Sequence, residues 1–130
     1  GVNDVSQGGG QPVDLKKWEQ DYRHILSKSR RANPKLKIIL MDPFVLRMTR
    51  LNSDDHWKYW RGEIDKLGKI VVRLAKDFNA IHVETQKIFD QAASHVSPGN
   101  WIWDGVHPLP QGHELIARNW LQVVAKATNK

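Results

Sequence analysis

Apolar residues recur along this chain at intervals of three and four, interrupted twice by short continuous apolar runs. Leu15, Trp18, Tyr22, Ile25 and Leu26 follow the helical spacing, which predicts a helix over 13–32 that Pro34 stops. The run Leu36-Lys37-Ile38-Ile39-Leu40-Met41 is β-branched at its centre and closed by Asp42-Pro43, the pattern of a buried parallel strand. Trp57, Trp60, Ile64, Leu67, Val71, Leu74 and Phe78 then alternate steps of three and four, predicting a helix over 57–78 with Ser53, Asp54 and Asp55 as caps. Gly62 and Gly68 each weaken a free-standing helix by about 1 kcal/mol, which favours a helix laid on a sheet over a coiled coil. Ala80-Ile81-His82-Val83 reads as a second strand. A helix follows from Glu84-Thr85, with Ile88, Phe89, Ala92 and Ala93 on one face, and Ser97-Pro98-Gly99-Asn100 breaks it. A last helix is expected over 110–127, its buried stripe formed by Ile116, Trp120, Val123 and Ala127 and widened by Ala117, Leu121 and Val124.

Two stretches lack periodicity. Residues 5–11 contain three consecutive glycines and read as a flexible connector. Residues 43–56 form a long loop whose Phe44, Val45, Leu46, Met48 and Leu51 make it unusually apolar, as in a binding wall or a short helix. Strands separated by helices imply crossover connections and a parallel sheet, hence an α/β fold. Two strands do not make a stable sheet under four helices, so further strands are expected outside these residues.

Composition narrows the options. At 130 residues, 40% apolar and 26% charged, the chain is sized for one domain with a modest core. It has no cysteine, which excludes disulfides, a thiolate nucleophile and zinc–thiolate sites and fits a reducing, cytoplasmic compartment. No run approaches the roughly 18 apolar residues of a membrane span. Net charge is +6, concentrated at Lys28, Arg30, Arg31, Lys35 and Lys37 at the end of the first long helix. Cations there offset the helix dipole, and no aromatic residue interleaves them, so nucleic acid is not an expected partner. A non-catalytic basic module that binds polyanions is the alternative to an enzyme.

The candidate chemistry lies between Trp101 and His113, where Asp104 precedes His107 by three residues and Pro108 and Pro110 stiffen the backbone beyond the histidine. A carboxylate that orients an imidazole is the general base and acid of many hydrolases. The bland reading is an acid and a histidine that cap a turn and face water. Trp103 flanks the acid and suits either a pocket wall or core packing. His113 would be the third ligand of a metal site with Asp104 and His107, but no fourth ligand lies near, so neither metal nor cofactor is expected. His24, His56, His82 and His95 carry no assigned role, and His82 reads as packed on its strand. None of Ser6, Ser27, Ser29, Ser53, Ser94 and Ser97 sits in a Gly-x-Ser-x-Gly elbow.

At the other end stands Gly1-Val2-Asn3-Asp4. With Asp104-Gly105-Val106-His107-Pro108 and the tail through Gly112-His113, it resembles two of the four sequence blocks of the SGNH hydrolases, the GDSL esterases and lipases. The resemblance implies a three-layer α/β/α, flavodoxin-like fold, with residues 1–130 as the C-terminal part of a single domain and the first three strands upstream of Gly1. It implies that His107 is the general base and acid, that Asp104 orients it, and that the Asn3 amide serves the oxyanion hole. Gly1 and Trp103 would border the substrate, and Asp4 would be structural. The Gly-Asp-Ser block and the second block are absent. The nucleophile is therefore expected from a missing N-terminal segment or a companion chain, and these residues alone are expected to be inactive. The implied substrate is a small acyl or acetyl ester, of a carbohydrate or a lysolipid.

Overall fold

A computed structural model describes residues 1–48 and 51–128. Among the described residues, five helices and two strands follow one another as α1 (Val2–Gln7), α2 (Leu15–Ala32), β1 (Ile39–Met41), α3 (Asp54–Asp77), β2 (Ile81–Val83), α4 (Thr85–His95) and α5 (Pro110–Thr128), with a 3-10 turn at Pro98–Asn100. The strands pair in parallel, Ile39 beside Ile81, Leu40 beside His82 and Met41 beside Val83, and α3 is the crossover between them. The class is α/β, as the alternation of periods implied.

The helix starts follow local chemistry. The Asp14 carboxylate accepts from the Lys17 amide at the head of α2, and the Ser53 hydroxyl accepts from the His56 amide at the head of α3. Leu26 of α2, Ile70, Val71, Leu74 and Ala75 of α3, and Ile38 and Leu40 around β1 close into one core. Arg30 ties its far end together. Its guanidinium donates to the carbonyls of Pro34, Leu36 and Phe78, satisfying chain ends that no ladder reaches. One member of the basic cluster is therefore a structural clamp. β1 is shorter than the predicted run because Leu36 donates its amide to Asn33 in a turn instead of to a neighbouring strand.

A second core joins Val5, Val45, Leu51, Ile64 and Leu67, and a third joins Leu46, Phe89 and Ile102. Together they explain the apolar loop: Val45 and Leu46 are buried core residues on irregular backbone, and Leu51 is a buried core residue in 3-10 conformation. Thr49 and Arg50 of that loop lie outside the described residues. Gln86 of α4 holds the segment as a strand would, accepting from the Val45 amide at 2.9 Å and donating to the Val45 carbonyl at 3.0 Å. Gln86 also donates to Asp90, which Arg61 of α3 grips with two hydrogen bonds.

Three expectations need correction. Residues 5–7 are helical, not part of a connector, because Val2 and Val5 lie three apart and pack on the second core before the glycines at 8–10 end the turn. Ile25 is exposed; it borders a cavity of about 570 Å³ with Trp18, Tyr22, Met41 and Gly1. On α5 the expected stripe is only half-buried, and Ala117, Leu121 and Ala127 are exposed.

Asp42 and His82 extend from the same side of β1 and β2 and meet at 2.6 Å. The hydrogen bond to Asp42 raises the His82 pKa above its ordinary 6.5, against the opposing effect of burial. A raised folded value means that this pair stabilises the fold fully below about pH 6.5 and loses its contribution as pH climbs through the raised value. Thermal unfolding followed from about pH 6 to about pH 9 should therefore show a falling midpoint. Asp42→Asn should flatten that slope; an unchanged slope would exclude the pair as its source.

Candidate active site

The loop between the 3-10 turn and α5 folds around one carboxylate. Asp104 is buried, and its Oδ1 accepts from the backbone amides of Val106 at 3.1 Å and His107 at 3.0 Å. Its Oδ2 lies 2.8 Å from His107 Nδ1. A carboxylate only accepts, so Nδ1 carries the hydrogen and Nε2 is left for proton exchange. The Asp104 side chain is 2% exposed and that of His107 is 64% exposed, so the carboxylate is hidden while the imidazole is presented.

Local backbone chemistry produces this loop. Ile102 and Pro108 form an antiparallel bridge, with Trp103 donating to the His107 carbonyl at 3.2 Å and Leu109 donating to the Trp101 carbonyl at 2.8 Å. Between them the chain reverses at Gly105, whose φ of +108° an L side chain rarely adopts. The Gly105 carbonyl accepts from the Leu46 amide at 2.9 Å, which fastens the reversal to the apolar loop and, through Gln86, to α4. At the exit, Gly112 in the first turn of α5 lies so close to the Trp101 carbonyl that a Cβ there would overlap it.

Asn3 reaches the same place from the opposite end of the sequence. A cleft of about 250 Å³ is lined by Asn3 and Ser6 of α1, by Asp104 and His107, and by His56 and Trp60 of α3. The structure thus brings three of the sequence-derived site residues together. Gly1 and Trp103 do not line this cleft. Gly1 borders the larger cavity beside β1, and Trp103, 60% exposed, stacks on the His107 ring with centroids 5.8 Å apart. Asp4 accepts from the Gly1 nitrogen and the Trp18 indole, which tethers α1 to α2. His113 is exposed in the first turn of α5. Among the described residues, no group of three His, Cys, Asp or Glu side chains is arranged to hold a metal ion, and no helix is long and apolar enough to cross a membrane.

His56 and Trp60 are the cleft residues that sequence reasoning missed. They lie four apart on one helix, and the Trp60 indole donates to His56 Nε2 at 3.1 Å. A histidine four residues before a tryptophan in a capped first turn was the available signal, but nothing local ties it to positions 3 and 107.

Known proteins share this arrangement of elements. The GDSL-like lipase/acylhydrolase family matches residues 1–115. An acetylxylan esterase from Geobacillus stearothermophilus is 30% identical over 131 residues, covering 95% of this chain and 56% of that protein. Among solved structures, a protein from Parabacteroides merdae described as a GDSL-like lipase superposes with a TM-score of 0.85 at 31% identity, covering 96% of this chain and 57% of that one. The structure of a Geobacillus stearothermophilus acetylxylan esterase gives a TM-score of 0.76 at 27% identity, covering 95% of this chain and 56% of that one. This chain therefore spans little more than half the length of the relatives it matches.

The geometry predicts where the loop is vulnerable. Gly105→Ala combines a left-handed backbone with a Cβ 3.1 Å from the Leu46 carbonyl, and should destabilise the fold by about 2 kcal/mol. Urea unfolding reads this as a lowered midpoint with the slope retained; an unchanged midpoint would mean that the loop relaxes freely.

Proposed function

This chain belongs to the GDSL-like lipase/acylhydrolase family, and from that premise we propose that it supplies the acid–base and oxyanion half of a carboxylic ester hydrolase. The observation that carries the reading is the buried Asp104 holding His107 beside Asn3 on one cleft. The nucleophilic serine comes from outside these 130 residues, from an upstream segment or a companion chain. The apolar cavity of about 570 Å³ beside β1 and α2 supports an additional segment packing there.

In this mechanism His107 Nε2 removes the proton of the serine hydroxyl as the oxygen attacks the ester carbonyl. The imidazolium that forms is stabilised by the Asp104 carboxylate, which its Nδ1–H already faces. The Asn3 amide donates to the oxygen of the tetrahedral intermediate. His107 then gives its proton to the departing alcohol, leaving an acyl-enzyme. A water deprotonated by the same nitrogen releases the acid and restores the serine. The acetylxylan esterase relative makes acetyl esters of carbohydrates the favoured class.

The test is p-nitrophenyl acetate hydrolysis by these residues alone and with the serine-bearing segment supplied. The isolated chain should not turn over, and the completed protein should. In the completed protein, His107→Ala should lower kcat at least about a thousandfold. Asn3→Ala should lower it by about 10²- to 10³-fold with little change in KM. Enzyme-like turnover by the isolated chain, or full activity of the His107 variant, would refute the assignment.

A further inference from the structure

We propose that His56 and Trp60 form the wall that holds a sugar ring of the alcohol half of the ester, an assignment that rests on the hydrolase reading above. Both lie on the first two turns of α3 and border the cleft that Asn3 and His107 share. The His56 backbone amide donates to the Ser53 hydroxyl at 3.3 Å, and Trp60 packs against the core of Val5, Leu51, Ile64 and Leu67 while still bordering the cleft. The two rings meet edge-on, at 80° with centroids 6.3 Å apart.

Hydrogen-bond chemistry then fixes what this wall offers. An indole N–H only donates, so His56 Nε2, 3.1 Å from it, is the bare nitrogen and its hydrogen sits on Nδ1. The wall therefore carries one N–H donor and one aromatic ring, both on side chains that border the cleft. A pyranose matches that pair: its hydroxyl and ring oxygens accept, and its aliphatic C–H face packs on an indole. The position also suits the alcohol half, because His107 must face the departing oxygen to protonate it, and His56 and Trp60 share its cleft.

The experiment compares acetylated xylotetraose with p-nitrophenyl acetate, which carries the same acyl group but no sugar, using the chain completed by its serine-bearing segment. In Trp60→Leu and His56→Ala, the ratio of kcat/KM for the sugar ester to that for the aryl ester should fall about tenfold or more, through KM. Trp60→Phe retains an aromatic face and should lower the ratio less than Trp60→Leu, which separates lost stacking from a damaged fold. An equal fall on both substrates, or no change on either, overturns the assignment. Titration calorimetry with unacetylated xylotetraose provides an arm independent of turnover. Binding to the unsubstituted chain that weakens about tenfold in Trp60→Leu supports the wall, and binding that is absent or indifferent to the substitution overturns it. If the completed protein hydrolyses neither ester, the hydrolase reading fails, while the calorimetric result still decides whether a sugar is held here.

Discussion

A carboxylate out of reach of water must be answered from within the protein, and the loop that carries Asp104 supplies three of its hydrogen bonds. Two successive backbone amides satisfy one oxygen, and the His107 ring meets the other. These bonds require the chain to reverse within four residues, which Gly105 permits. The same burial that makes the carboxylate costly makes it effective, because a charge shielded from water orients and stabilises a neighbouring imidazolium more strongly than an exposed one. Folding the loop and orienting the imidazole are therefore one event.

The rest of the fold transmits rigidity to that event. The Gly105 carbonyl is bound by Leu46, whose segment is threaded between the loop and α4 and held there by the Gln86 amide. Gln86 is in turn linked through Asp90 and Arg61 to α3, the crossover helix whose first turns form the opposite wall of the cleft. A continuous path of hydrogen bonds thus runs from one side of the cleft to the other through the body of the domain. α1 closes the third side, held by Val5 in the core and by Asp4 against Trp18.

Much of this is legible in the sequence because it is local or periodic. The stripes of α2 and α3 follow from a 3.6-residue period, and the Asp104–His107 pair lies within one short loop, so spacing alone makes it a candidate. Resemblance to a family is needed to join Asn3 to that pair, since about a hundred residues separate them. Other features are hidden for physical reasons. The glycines at 8–10 mask the helical turn before them, whose stability comes from Val2 and Val5 docking on distant residues. His82 alternates with apolar neighbours and so reads as merely packed, whereas its partner Asp42 lies forty residues away, at the end of the neighbouring strand. His56 and Trp60 are adjacent on a helix, but their position beside positions 3 and 107 is a product of tertiary packing that no window of sequence contains.

The proposed hydrolysis depends on Asp104 locking His107 in the Nδ1–H tautomer, with Nε2 free for the cleft. Long-range ¹H–¹⁵N correlation of the histidine ring nitrogens reads this directly on the isolated chain, without a substrate. Neutral His107 should show a protonated Nδ1 and an unprotonated Nε2, and Asp104→Asn should abolish that preference. A ring found as the Nε2–H tautomer, or one indifferent to the Asp104 substitution, would contradict the assignment.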